Sequence, residues 1–316
     1  MMPFSLSTRW NAGRHHTGEA MLEEILGLGF DCVELGYDLR GELVPGVKAM
    51  LAARAIRVDS VHNFCPVPVG ATRPHPELYT PGAPDRRERE FAVVHISRTL
   101  RFAAEVGAKV VVCHSGNVDM PSFSYDLLRL AARGEQFTEA YEALKLKAQI
   151  ARDKRAPRQV EWLGESLEQL AAVVRETGVE LALENLPTWE ALPAELESEQ
   201  LMQRFRSAGI RLWWDIGHAQ IRENLGFINA NRWLQRLAPH IAGLHIHDVA
   251  PPGQDHVMPP RGQVDFKALS FLAGMDMVRV LEPAPNTDAG DIVRAVAHLR
   301  AAWNLTEPET PSGEAT

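Results

Sequence analysis

Glu184, Asp215, His245 and Glu282 are residue types that hold a divalent cation through carboxylate oxygen and imidazole nitrogen. Each sits in or at the end of a short apolar run: VELALEN (179–185), IRLWWDIG (210–217), IAGLHIHD (241–248) and MVRVLEP (277–283). Other ionisable residues take similar places. His62 falls in RVDSVHN (57–63) and His114 in AKVVVCHSG (108–116). His218 follows Asp215 by three residues, and Asp255 and His256 lie on the long stretch after the 241–248 run. A single histidine at a strand end is ordinarily a hydrogen-bonded structural residue. A set of carboxylates at one rim is different, because they repel one another and raise each other's pKa. A divalent cation removes that cost, and these donors suit Mn²⁺, Co²⁺, Mg²⁺ or Zn²⁺. His247 shares a strand face with His245 by alternation and is read as a supporting partner, a substrate contact or a structural residue.

Convergence of these side chains requires a scaffold. With FSLS (4–7) and DCVELG (31–36), the apolar runs number eight, each short and rich in Val, Ile and Leu, as buried parallel strands are. Helical stretches separate them. TGEAMLEEILGLG (17–29) has Thr17 as N-cap and Gly29 as stop; the stretch from Glu88 closes at Gly107; RQVEWLGESLEQLAAVVRETG (158–178) closes at Gly178. Strands alternating with helices predict an α/β fold, a (β/α)₈ TIM barrel. A doubly wound sheet would predict a GxGxxG turn after an early strand, and the chain has none. A barrel carries its active site at the C-terminal strand ends, where the ionisable residues fall. The expected organisation is one barrel domain over 1–305, with a helical insertion at 117–157 after the fourth strand, and a disordered tail at 306–316. Between Arg129 and Arg158 the insertion has eight Lys/Arg against four Asp/Glu. A solvated helical face is the plain reading; a lid, a subunit contact or a phosphate-facing patch are the sharper ones.

Composition narrows the function classes. The chain has 316 residues and a formal charge of −8, which argues against a broad nucleic-acid surface. Cys32, Cys65 and Cys113 form no disulfide framework and suit a reducing cytosol. There is no secretory signal pattern and no run of about 18 apolar residues, so a cytoplasmic protein without a membrane span is expected. Motifs for a serine or cysteine nucleophile, a P-loop and a dinucleotide site are absent.

Five segments carry a more specific signal: ALENLP (182–187), WWDIGHAQ (213–220), GLHIHDV (243–249), DHVMPPRGQVDF (255–266) and VLEP (280–283). Together they resemble the sugar phosphate isomerase/epimerase group of xylose isomerase-like TIM barrels, the superfamily that includes endonuclease IV. The resemblance covers roughly residues 4–303. It implies a metal held by Glu184, Asp215, His245 and Glu282, with Glu184 and Glu282 also exchanging a proton with substrate. It implies that His218 contacts substrate oxygens. By similarity to endonuclease IV, His62 and His114 would hold a second cation with Glu184 bridging, and His218 and His256, with Asp255, a third. One site is favoured over two or three; His62, His114 and His256 then bind hydroxyls or a phosphate. Arg261, on a loop expected to overhang the mouth, is either a clamp for a substrate carboxylate or phosphate or an ordinary surface arginine. Trp10, Trp213 and Trp214 are candidate walls for a sugar, although tryptophans in strands are more often core and Trp213 and Trp214 must point to opposite faces.

The expected activity is isomerisation or epimerisation of a sugar or sugar derivative by proton transfer through a stabilised enediolate. A sugar lyase or dehydratase shares the first step. A zinc phosphodiesterase of the endonuclease IV kind and a noncatalytic sugar-binding barrel are the readings from other classes. A small-molecule sugar is the expected partner, nucleic acid is not, and self-association is a family-level expectation.

Overall fold

The computed structural model describes residues 4–305, so the proposed tail at 306–316 lies outside the described residues. In chain order the strands are β1 (Ser5–Ser7), β2 (Cys32–Leu35), β3 (Arg57–His62), β4 (Val110–Cys113), β5 (Glu180–Glu184), β6 (Ile210–Asp215) and β7 (Ile241–Ile246). A hairpin of β8 (Asp248–Ala250) and β9 (Gln254–Val257) precedes β10 (Val278–Leu281). All but the hairpin close into a parallel barrel of order β1-β10-β7-β6-β5-β4-β3-β2. The eight apolar runs of the sequence supply these barrel strands, and the fold is a (β/α)₈ TIM barrel.

Alternation along the strands decides what faces the axis. Val110, Val112, Ala182, Trp213, Ala242 and Val280 form one apolar cluster, while their neighbours Val111, Leu181, Leu183, Trp214 and Leu281 pack outward in the core shared with the helices. Glu184 lies two residues beyond Ala182, Asp215 two beyond Trp213, and Glu282 two beyond Val280, so the same parity turns each toward the axis one layer higher. Asp215 pairs in register with His245. Trp213 is the floor of that layer, with its ring 5.1 Å from that of His245. Trp213, Trp214 and Trp10 are therefore core residues and none lines the mouth.

Helices α1 (Gly18–Gly27), α2 (Val44–Ala52) and α3 (Arg86–Glu105) cover the first strands. Thr17 caps α1, its hydroxyl accepting from Ala20 N at 3.3 Å. After β4 come α4 (Phe123–Ala132) and α5 (Glu139–Thr177), the latter 39 residues long. The expected boundary near Arg158 is absent: α5 runs through Pro157 without a break and ends at Gly178, whose φ is 69°. Buried residues on both sides of the proline, Arg152, Ala156, Gln159 and Leu163, hold the helix to the body, so packing outweighs the local cost of proline. The insertion is thus the first half of the barrel's own helix plus α4. Leu127 and Tyr141 from it pack with Ile221, Leu225 and Val249, which fixes it to the rim. The remaining helices are α6 (Glu195–Phe205), α7 (Ile216–Asn224), α8 (Ala230–Leu237) and α9 (Ala289–Ala302). Among the described residues, no helix is long and apolar enough to cross a membrane.

Candidate metal centre at the barrel mouth

The centre is built on His245. Its ring is fully buried, and Nδ1 faces three carboxylates: Glu184 Oε1 at 2.9 Å, Glu282 Oε2 at 3.3 Å and Asp215 Oδ2 at 3.8 Å. On the other side of the ring, Nε2–H donates to Glu34, with Oε1 at 3.1 Å and Oε2 at 3.2 Å. With Nε2–H so engaged, Nδ1 faces the negative oxygens either with a second ring proton or with a cation in that proton's place. That arrangement calls for a positive charge between them. Glu184, Asp215, His245 and Glu282 offer ligand atoms within 4.8 Å of one another, and all four are buried. Burial opposes charge on His245, yet Glu282, Glu34 and Glu184 raise its pKa well above the ordinary value. Burial also works against the Glu184 anion, and His245 and His114 outweigh it and hold that carboxylate well below its usual range. These residues fit a divalent cation of the oxygen- and nitrogen-binding kind.

A second group adjoins the first through Glu184. His62 Nε2 lies 3.3 Å and His114 Nε2 3.1 Å from Glu184 Oε2. That oxygen is buried and has no aligned hydrogen-bond donor. His62 Nδ1–H donates to Asn63 O at 3.0 Å, which keeps its Nε2 lone pair inward. His114 Nδ1 lies 3.4 Å from Glu77 Oε1. The residue types and the orphaned oxygen also fit a bridging cation here.

The third corner differs. His218, His247 and His256 offer nitrogens within 4.8 Å of one another. His247 uses both of its ring nitrogens: Nε2–H donates to the Asp215 carboxylate at 3.0 Å, and Nδ1 accepts from His256 N at 2.9 Å. Its contact with Asp215 is that of a supporting partner. His218 Nδ1–H donates to Asn185 O at 3.0 Å. His256 Nδ1–H donates to Glu282 O at 3.1 Å, and its Nε2 accepts from Arg9 Nη1 at 3.0 Å. Burial, then the neighbouring His247, holds His256 down at about 4, so it is a neutral acceptor.

Above these groups lies a cavity of about 320 Å³, in the range of small-molecule pockets. Its lining brings together His62, His114, Glu184, His218, His256 and Glu282. Arg261 does not join them. Its guanidinium pairs with Asp291 Oδ2 of α9 at 2.5 Å and its side chain is 59% exposed. The loop carrying it is turned outward because Asp248, buried beside β7, accepts from Gly262 N at 2.7 Å and Val264 N at 2.9 Å. The Cys32, Cys65 and Cys113 thiols are free and buried, and burial pushes their pKa values up.

Several residues of the site had no part in the sequence reading: Glu34, Arg9, Tyr37, Glu77 and Asn185. Glu34 left a usable signal. It stands inside DCVELG, and a carboxylate in an apolar strand is costly unless it is paired. It is fully buried and also accepts from Ser7 Oγ at 3.2 Å and Ser60 Oγ at 2.8 Å. Carboxylates that receive the outer N–H of a ligating histidine set its tautomer and orientation. Glu34→Gln is therefore expected to weaken binding of a divalent cation by about 10–100-fold. Competition with a chelating dye measures this; an unchanged affinity would remove Glu34 from the centre.

The glycine of the Asp-x-Gly-His segment has a steric cause. A Cβ on Gly217 would lie 2.0 Å from Cε1 of His247. Gly217→Ala must displace a ring held by Asp215 and by His256 N, and overpacking of this kind costs about 1–3 kcal/mol. Thermal or urea denaturation checks it; wild-type stability would show that the ring moves aside freely.

The wall beside the cavity is clamped from behind. Leu186, Pro187 and Thr188 line it on the loop after β5. Arg222 of α7 donates to Thr188 O through Nε at 3.1 Å and Nη2 at 2.8 Å, and pairs with Glu195 Oε1 at 2.6 Å. Arg152 of α5 donates to Trp189 O and to Glu197 Oε2, both at 2.6 Å. Trp189 stacks on Phe227 at 4.4 Å. The basic stretch of the insertion thus contributes a buried loop anchor.

A sequence profile described as the xylose isomerase-like TIM barrel matches residues 22–302. Among solved structures, a D-tagatose 3-epimerase-like protein is 20% identical at a TM-score of 0.65, covering 96% of this chain and 98% of its own. A 3-keto-D-glucoside 4-epimerase from E. coli is 18% identical at a TM-score of 0.65, over 95% of this chain and 100% of its own. An L-ribulose 3-epimerase is 17% identical at a TM-score of 0.66, over 96% and 94%. These likenesses show the fold. An uncharacterised protein of Methanocaldococcus jannaschii is 23% identical over 181 residues, 57% of this chain, and the match spans 56% of that relative's length.

Proposed function

The chain belongs to the xylose isomerase-like TIM barrel family, and from that premise we propose that it is a divalent-metal-dependent isomerase or epimerase of a sugar or sugar derivative. The observation that carries this reading is the pair Glu184 and Glu282, which approach His245 Nδ1 at 2.9 and 3.3 Å under an open small-molecule cavity. Glu184, Asp215, His245 and Glu282 would hold the cation, which when bound polarises a carbonyl and stabilises an enediolate. Glu184 and Glu282 reach the floor from β5 and from the end of β10, and each also has an oxygen directed away from His245. Glu184 Oε2 lies toward His62 and His114, and Glu282 Oε1 lies 3.3 Å from Arg9 Nη1. One carboxylate removes the proton on the carbon beside the carbonyl, and the other returns a proton to the opposite face or to the adjacent carbon. His62, His114 and His218 line the cavity with ring nitrogens that take sugar hydroxyls, and His256 lines it with its nitrogens held by Glu282 O and Arg9. The solved relatives named as sugar epimerases support the substrate class.

A sugar lyase shares the first step and differs only in the fate of the β-substituent. A zinc phosphodiesterase is the second reading, favoured by the His62–His114–Glu184 group. The test is hydrogen exchange in D₂O, followed by NMR, on a panel of ketoses and sugar acids with Mn²⁺, Co²⁺ or Mg²⁺ supplied. Deuterium is expected at the carbon next to the carbonyl, lost on chelation and restored by added metal. Cleavage of a phosphodiester or abasic-site DNA with zinc, with no exchange into any sugar, would replace this reading by the second.

A further inference from the structure

Arg9 follows β1 and projects over the mouth from the side opposite the β5 loop. Its Nη1 donates to Glu282 Oε1 at 3.3 Å and to His256 Nε2 at 3.0 Å, and its guanidinium carbon lies 5.4 Å from the ring centre of Tyr37. These contacts bear on the His218, His247 and His256 corner, whose nitrogens lie close enough for a cation. His218 leaves Nε2 free, since Nδ1–H donates to Asn185 O, but the other two histidines do not offer a nitrogen. His247 has no lone pair to offer, since Nδ1 accepts from His256 N and Nε2–H donates to Asp215. His256 Nδ1 is spent on Glu282 O. The lone pair on His256 Nε2 points at Arg9. A zinc bound there would sit about 2.0–2.1 Å from the nitrogen, inside the 3.0 Å that separates it from Nη1. Arginine has donors only and stays charged, so it cannot join a coordination shell and would oppose a second cation at that distance.

We propose that Arg9 is the built-in cation of this corner: its guanidinium takes the place of a metal at His218 and His256, whose Nε2 atoms each lie 4.0 Å from Asp255 Oδ2, and limits the chain to the cations held through Glu184. This deepens the functional reading and rests on it, because it treats the rest of the mouth as a metal centre. It also separates the site from a trinuclear phosphodiesterase, since the third position is filled by a side chain.

The test is zinc stoichiometry by equilibrium dialysis at buffered free zinc with elemental analysis, on wild type, Arg9→Met, Arg9→Gln and Arg9→Lys. Wild type is expected to hold one or two zinc ions per chain. Arg9→Met and Arg9→Gln, which remove the charge, are expected to gain one ion, and Arg9→Lys to keep the wild-type count. Adding His218→Ala to Arg9→Met should return the count to that of wild type. Three tight ions in wild type, or no gain in a folded neutral variant, would overturn the proposal. Zinc in wild type with no gain in the variants would sink the role of Arg9 and leave the functional reading standing. No zinc in wild type, with one ion appearing in the neutral variants, would do the reverse. Circular dichroism of each variant establishes that it is folded, and the two neutral side chains give independent chances of that.

Discussion

Glu184→Gln and Glu282→Gln are each expected to lower solvent exchange of the sugar α-hydrogen by about 10²–10⁴-fold, the size of a positioned acid–base contribution. Glutamine keeps the shape, so the barrel layer above Trp213 stays filled. It removes the proton acceptor and one anionic oxygen from the shell around His245 Nδ1. The two losses are separable if bound metal is measured beside the exchange rate. At saturating metal, a fall in rate reports the proton-transfer role alone. Glu184→Gln has the further effect of withdrawing the oxygen that faces His62 and His114, so it should also abolish any second cation. Full exchange in both variants, with metal bound, would show that the proton-transfer pair lies elsewhere.

Arg222→Ala is expected to destabilise the fold by about 3–5 kcal/mol, because it leaves the partner carboxylate of a buried pair uncompensated. Arg222 is fully buried and Glu195 nearly so. The same guanidinium supplies two donors to Thr188 O, which loses both. For a chain of this size that loss corresponds to a fall in Tm on the order of 10 °C. Arg222→Lys should recover little, since a point ammonium cannot reproduce the fork. Glu195→Ala added to Arg222→Ala should restore part of the stability, as expected for coupled partners. Thr188 lines the cavity, so the surviving folded fraction should also bind sugar more weakly. Thermal unfolding of the four proteins settles it; a single variant within about 1 kcal/mol of wild type would mean that water replaces the clamp.

The contrast between Glu184 and Glu34 shows how far the residues alone carry the site. Both sit in short apolar strands, and both turn to the barrel axis. Glu184 is legible because ALENLP, WWDIGHAQ, GLHIHDV and VLEP follow one another in a recognisable order of segments. Glu34 has only its own improbability in DCVELG, and its partner His245 is 211 residues away. Arg9, Tyr37 and Glu77 lie outside any periodic element, so no pattern points to where their side chains go. Arg261 shows the converse. Its loop is expected to overhang the mouth, but the hydrogen bonds from Gly262 and Val264 to Asp248 tie the loop down, and Arg261 pairs with Asp291 of α9. At Pro157 a strong local stop signal lost to the packing of residues on either side.

Strand number, strand order around the barrel and the layer that holds Glu184, Asp215 and Glu282 follow from alternation and from apolar runs interleaved with helices, which are local properties of the chain; His245, three residues past the axis-facing Ala242, reaches that layer through the register shift between β6 and β7. The tautomer of His245, the use of both His247 nitrogens and the contact of Arg9 with His256 follow from none of these. They depend on groups from distant strands meeting at distances of about 3 Å, and hydrogen-bond geometry of that kind exists only once the barrel has closed.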